Sequence, residues 1–224
     1  MRKVLLIIAL AACCSMFAQT KEHHPYSDDK LLHYGGFIGV NLPSYIAQPD
    51  KFYTPKIGYG LAIGGFVDVR MGKYLNLRVS PSYNANYINI KEWTDNSTGV
   101  KANEKDSINT LAMPFSIPLH IKWSAKRIGN YRPYLLGGGG VSFDFNTFDE
   151  EEKDILTKKM NYFAEIGLGC DFYTKWFRCS PEIKYQLGFN NMLSKKHATD
   201  GKHMHELEKL TYHQISIVFN FGSL

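Results

Sequence analysis

The chain has 224 residues, 44% of them hydrophobic and 21% charged, with a formal net charge of +5. So small a cationic excess, with no run of Lys and Arg behind it, argues against nucleic acid as a partner, and the two cysteines beyond an N-terminal leader, Cys170 and Cys179, do not make a disulfide framework. No stretch after the leader approaches the roughly 18 apolar residues of a membrane-spanning helix, which leaves strands as the way to cross a bilayer.

The leader reads "MRKVLLIIALAACCSMFAQ": a cationic start, an apolar run from Val4 to Ala12, and the small Ala18 ahead of Gln19. This pattern predicts a secretory signal peptide over residues 1–18. Leu10-Ala11-Ala12-Cys13 also has the shape of a lipoprotein-processing site, an alternative that the intact mass of the mature protein separates.

From there the chain alternates. Residues 33–42 set Tyr34, Ile38 and Val40 against His33, Phe37 and Asn41. Residues 57–71 set Ile57, Tyr59, Leu61, Ile63, Val67 and Val69 against Gly58, Gly60, Ala62, Gly64, Asp68 and Arg70. Residues 74–90 contain "NLRVSPSYNANYIN", in which Leu77, Val79, Tyr83 and Tyr87 interleave with Asn76, Arg78, Ser80, Ser82, Asn84 and Asn86. Residues 110–123 set Met113, Phe115, Ile117, Leu119, Ile121 and Trp123 against Ala112, Pro114, Ser116, Pro118, His120 and Lys122. Strict alternation marks strands with one apolar and one polar face, and runs this long exceed the about 5 or 6 residues usual in a water-soluble domain. Further strands are expected at about 131–145, 160–173, 177–192 and 210–221, making eight.

The connections alternate too. Short turns are expected around 72–73, 126–130 and 174–176, and long polar loops near 43–56, 91–107, 146–159 and 193–209. The expected fold is therefore all-β: an eight-stranded antiparallel up-and-down transmembrane β-barrel. Its apolar face is large, aromatic and uncharged, whereas its polar face is Gly, Ser, Asn and Ala with isolated charges, including Gly58, Gly60, Gly64, Gly138, Gly140, Gly167 and Gly169. Small residues suit a crowded interior, and an uncharged apolar exterior suits lipid. Aromatics near the strand ends, with Tyr74, Trp123, Tyr173 and Trp176 by the turns and Tyr87, Trp93 and Phe189 by the loops, are expected as interfacial girdles. Residues 19–32 would form a periplasmic N-terminal segment and 33–224 the outer-membrane barrel, with the short turns periplasmic and the long loops extracellular.

By the same strand phases the interior holds the acids Asp68, Asp144, Glu165, Asp171 and Glu182 and the bases Arg70, Arg78, Lys122, Arg132, Arg178 and Lys184. An eight-stranded barrel is just wide enough for its own side chains, so this near-balanced set is expected to form a salt-bridged plug and not a conduit.

Two long stretches also carry a family resemblance: "PFSIPLHIKWSAKRIGNYRPYLLGGGGVSFDF" and "NYFAEIGLGCDFYTKWFRCSPEIKYQLGFNNML", together with the early "LLHYGGFIGVNLPSYIA". They resemble the PorT (SprT) family of outer-membrane barrels in the Bacteroidota, most specifically in Arg127-Ile128-Gly129-Asn130-Tyr131-Arg132-Pro133-Tyr134 and in the FAEIGLGCDFY hairpin. The resemblance implies participation in type IX secretion, which exports cargo bearing C-terminal sorting domains, with other secretion components and outer-membrane lipid as partners. The filled interior limits that role to an accessory or assembly subunit.

Two other functions have weaker signals. A small outer-membrane enzyme or metal protein would need His197, His203 and His205, the acidic run Asp149-Glu150-Glu151-Glu152, or a triad of Ser107, His120 and Asp171. Loop histidines and loop carboxylates are usually solvated, and the triad members fall on badly placed strands. "GGGG" at 137–140 lacks the strand-then-helix setting of a phosphate loop and suits close strand packing. No catalytic residue, metal ligand, cofactor or small-molecule substrate is assigned from the sequence. The last possibility is a structural or ligand-binding barrel that meets a partner through its loops.

Overall fold

The computed structural model describes residues 29–48, 53–55, 57–93, 104–144, 160–192 and 209–224. The strands are β1 (Leu32–Gln48), β2 (Tyr53–Pro55), β3 (Tyr59–Arg70), β4 (Leu75–Val79), β5 (Ser82–Trp93), β6 (Glu104–Ala112), β7 (Pro114–Ser124), β8 (Tyr131–Asp144), β9 (Met160–Tyr173), β10 (Arg178–Gly188) and β11 (Lys209–Gly222). β2 and β3 pair in succession with β5, β4 continues into β5 and β6 into β7, so these strands make eight spans. The pairing runs β1–β11–β10–β9–β8–β7–β4–β3 and returns to β1, every pair antiparallel, which closes the barrel.

Both interruptions have a chemical cause. Pro81 has no N–H to give the ladder, and the pairing of β3 passes through it without a register slip, from Val67↔Val79 to Gly64↔Ser82. Pro114 does the same in the next span, and the Met113 N–H is instead taken by the Asp144 carboxylate at 3.3 Å. The turn before β8 is closed by mutual backbone hydrogen bonds between Ile128 and Tyr131, 3.0 and 3.2 Å, with Gly129 at φ +60° between them.

The loop-side ends correct the expected boundaries. Residues 43–48, expected as loop, continue β1 and pair with β11 as far as Gln48↔Lys209. Residues 91–93 and 104–107, also expected as loop, are the ends of β5 and β6 and pair with each other. The apolar alternation fades there while the backbone ladder continues. β10, by contrast, stops at Gly188, short of the expected 192.

The faces divide as the alternation predicts. Outward lie Tyr34, Ile38, Leu61, Ile63, Leu119, Ile121, Leu135, Ile166, Leu168, Ile183 and Ile217, all exposed although strongly hydrophobic. Inward lie Asn76, Arg78, Ser80, Ser82, Asn84 and Asn86, all buried. An exterior of this kind is stable only against hydrocarbon. Tyr173 departs from the expected girdle: it is 3% exposed, faces inward, and lies beneath the Arg127 guanidinium, whose carbon is 3.8 Å from its ring centre.

Close packing explains the glycine run. A Cβ on Gly138 would sit 2.0 Å from the Leu119 carbonyl oxygen, and one on Gly140 2.5 Å from that of Ile117, whereas one on Gly137 would meet nothing within 4 Å.

The exterior gives a direct test. Val79→Arg or Ile117→Arg, each placing a guanidinium near the bilayer midplane, is expected to cost roughly 2–4 kcal/mol of barrel stability. Ser80→Ala, which keeps a small buried side chain, is expected to be mild. Heat-modifiable migration on SDS gels reads the difference; normal insertion of both Arg variants would overturn the assignment of faces.

Candidate functional site: the barrel interior

The interior has two layers. On the side of the short turns, Arg78 from β4 is buried between two acids. Its Nε and Nη2 donate to Asp68 at 2.5 and 2.9 Å, and its Nη1 donates to Glu182. The same Asp68 has Arg178 at 3.4 Å and Lys122 at 3.8 Å. Lys122 in turn donates to both oxygens of Asp171, 3.0 and 2.7 Å, and the Ser180 hydroxyl donates to Asp171 at 2.5 Å. Glu182 also accepts from the Tyr134 hydroxyl at 2.5 Å.

Aromatic rings line this charged layer. The Arg78 guanidinium carbon lies 4.8 Å from the centre of Phe66 and 5.7 Å from that of Tyr134, and Lys122 Nζ lies 3.8 Å from Tyr134. Desolvated cations over ring faces are attracted by the ring quadrupole, which supplements the ion pairs. Higher in the lumen, Lys184 reaches Glu165 at 2.9 Å, and His120 Nε2 stands 3.6 Å from the same carboxylate.

On the loop side the charges give way to amides and hydroxyls. Asn41 donates to Asn84 and Asn86 at 2.9 and 3.1 Å. Asn86 donates to the Tyr212 hydroxyl and to Gln214, both at 2.9 Å, and Gln214 donates to Ser216 at 2.8 Å. Between the layers a cavity of about 20 Å³, touched by Asn41, Glu165, Lys184 and Gln214, has room for a water molecule and little more. An aromatic and aliphatic knot of Phe37, Ala62, Phe66 and Val218 fills further space. In a planar bilayer the protein is therefore expected not to form a stable open pore; large, steady conductance would show that the lumen opens.

Three of the eleven charges expected inside lie towards the ends of the barrel. Arg70 lies at the turn-side mouth and pairs with Asp29 at 2.9 Å. Arg132 donates to the carbonyls of Ala125 and Lys73, 2.8 and 2.9 Å, and so fastens two turns together. Asp144 lies at the loop end, bonded to the Met113 N–H. The sequence reading passed over the amide layer and the inward Phe66 and Tyr134; the alternate asparagines of β5 and the inward phase of Phe66 were the available signals.

The structure does not assemble the triad. Ser107 and His120 lie on one span, about 40 Å apart along it at the usual strand rise, and Asp171 is held by Lys122 and Ser180. Among the described residues no group of three His, Cys, Asp or Glu is placed to hold a metal. The histidines 197, 203 and 205, the acidic run 149–152 and the leader with Cys13 lie outside the described residues.

Cys170 and Cys179 face outward, and neither is in a disulfide. They lie one pleat apart across the ladder, because Cys179 pairs with Phe172. Diagonal positions about 7–8 Å apart do not meet disulfide geometry. Both thiols are expected to alkylate fully without reductant, as mass spectrometry would read; a mass deficit of one bridge would contradict this.

No curated protein matches the sequence. Several solved barrels are similar in shape. Neisserial surface protein A is 10% identical with a TM-score of 0.42, over 84% of this chain and 96% of that one. Ail, the attachment invasion locus protein of Yersinia pestis, is 10% identical with a TM-score of 0.38, over 85% and 97%. The N-terminal β-barrel domain of Pseudomonas aeruginosa OprF is 12% identical with a TM-score of 0.35, over 83% and 97%. These likenesses bring no ligand or activity with them. The pattern of the outer membrane protein β-barrel domain matches residues 17–194. With that match added to a closed, outwardly apolar barrel, the chain belongs to the outer membrane protein β-barrel domain family.

Proposed function

We propose that the protein is an accessory or assembly subunit of type IX protein secretion, acting through its surfaces and not as the passage for cargo. The observation that carries the mode of action is the filled lumen: Arg78, Asp68, Lys122, Asp171 and Glu182 cross-link the walls from within. The eleven interior charges named from the sequence serve structure in this account, and no catalytic step is assigned to them. The secretion role itself is supported by the PorT-like stretches, above all residues 127–134 and the hairpin joining β9 and β10.

In this proposal the signal peptide of residues 1–18 is removed, residues 19–32 lie in the periplasm beside the short turns, and the long loops face outward from the cell. Secretion components would meet the turns, the loops or the lipid-facing wall. Deleting the gene tests the role: cargo with C-terminal sorting domains should then accumulate in the periplasm and return to the medium on complementation. Cargo fully secreted by the deletion strain would sink the secretion role and leave a structural or ligand-binding barrel.

A further inference from the structure

At the middle of the lumen, strand pairing brings three polar side chains into one row. Gln186 on β10 pairs with Glu165 on β9 and with Gln214 on β11, and all three are buried. Asn41 of β1 and Lys184, one pleat from Gln186 towards the turns, join them around the cavity of about 20 Å³.

This ring holds more hydrogen-bonding capacity than its members use on each other. Gln214 is spent: its Oε1 accepts from Asn86 at 2.9 Å and its Nε2 donates to Ser216 at 2.8 Å. Gln186 is 8% exposed, and its amide has no hydrogen-bond partner among the described residues. Glu165 Oε1 forms an ion pair with Lys184 at 2.9 Å, yet it accepts no hydrogen bond of good geometry. Asn41 Oδ1 has no donor either, and the network fixes which atom that is. The Pro114 carbonyl can only accept, so Asn84 turns its Nδ2 towards it, at 3.3 Å, and its Oδ1 towards Asn41. Asn41 therefore faces Asn84 with its nitrogen, and its oxygen is left to another donor. Polar groups buried in this way are costly unless paired, and native interiors meet them with protein partners or ordered water.

We propose that the cavity is a binding site for one water molecule, held as a fixed member of the lumen by Gln186, Glu165, Lys184 and Asn41. A cavity needs roughly 10–15 Å³ to admit a water, and the water needs two to four polar partners. Both conditions are met. The Glu165 carboxylate and the amide oxygens call for donated protons, and the Lys184 ammonium and the Gln186 nitrogen supply donors in return. A cation is the wrong ligand, because Lys184 already neutralises Glu165. The water links the charged layer, through Glu165 and Lys184, to the amide layer, through Gln186 and Asn41.

The experiment uses the full chain folded in detergent micelles, with nitrogen-15 in its Asn and Gln side chains. Magnetisation transfer from water is read at the Gln186 and Asn41 amide protons. The expected result is cross-relaxation with the sign of a molecule that stays bound while the barrel tumbles. Val218→Ile and Ala62→Val each enlarge a side chain of the cavity wall. In whichever of them keeps its heat-modifiable migration, the signal should be lost. Cross-relaxation with the sign of freely diffusing water in the parent chain would overturn the proposal. So would a signal that survives the filled cavity, which would trace it to exchange relayed through a hydroxyl such as that of Ser216. The signal should also be equal in sodium-free and sodium-rich buffer; its loss in sodium would make the occupant a cation and overturn the assignment of water.

Discussion

Truncation before Tyr212 is expected to leave no folded barrel at all. β11 is paired along both edges, with β1 from Gly35↔Gly222 to Gln48↔Lys209 and with β10 from Arg178↔Gly222 to Leu187↔His213. Its loss strips the hydrogen-bond partners from β1 and β10 together, inside hydrocarbon. Each backbone group left unsatisfied there costs several kcal/mol, so a handful exceed the roughly 5–15 kcal/mol that keeps a typical protein folded. The truncation also removes Tyr212, Gln214 and Ser216 from the amide layer and Val218 from the knot beside Phe66. The intact chain should migrate faster unboiled than boiled and give a β-rich circular dichroism spectrum in detergent. The truncated chain should do neither. A heat-modifiable truncated product would mean that β1 and β10 can meet and that the last strand is dispensable.

The second large effect is expected at Arg78. The residue is 1% exposed, and three of its side-chain nitrogens are committed to Asp68 and Glu182. Arg78→Met keeps most of the volume and removes the charge. Glu182 is then left with the Tyr134 hydroxyl, and Asp68 with Arg178 and Lys122 at 3.4 and 3.8 Å. Removing one partner from a buried pair costs roughly 3–5 kcal/mol, because the other charge stays behind without compensation. Urea unfolding in lipid vesicles should show the loss as a lower midpoint at unchanged slope. Adding Glu182→Gln should restore part of it, since the doubly substituted lumen no longer buries that carboxylate bare. Wild-type stability in Arg78→Met would mean that the ion pairs hold nothing together.

The spans and their faces were open to inspection in the sequence because lipid imposes a severe filter. Every outward position must be apolar and every interior one must fit, so Leu77, Val79 and Tyr83 separate cleanly from Asn76, Arg78 and Ser82. Where that filter lapses, the signal lapses. Residues 43–48 and 104–107 are paired strand, and nothing in their composition distinguishes a ladder from a loop. Tyr173 misled for a related reason: an aromatic at a strand end suits a girdle, but its phase on β9 turns it inward under Arg127.

The interior was legible as a list of residues and not as a set of contacts. Alternation puts Arg70 and Arg78 on the same side, yet Arg70 lies one turn too far and meets Asp29. Which acid meets which base depends on the stagger of neighbouring strands, and that stagger is set by pairings such as Asp68↔Arg78 and Arg132↔Asp171. A one-residue slip in any ladder would reassign them all. The amide layer of Asn41, Asn86 and Gln214 draws on three strands far apart in the chain, which single-strand periodicity does not connect.

The seam between β1 and β11 also has a consequence in time. Gly36 meets Phe221 and Val40 meets Ile217, so this contact joins the two ends of the chain, whereas pairings such as β3 with β4 form across a few residues. Loop-closure entropy and contact order both place the seam among the slowest contacts to form. Until it forms, the molecule is a curled sheet with two sticky margins, able to pair with a second copy as readily as with itself. Slowing synthesis or export therefore prolongs the hazardous interval at its very end, when seven spans are ready and the eighth has not arrived. A carrier that shields this chain on its way to the membrane has to hold it until residue 222 is free.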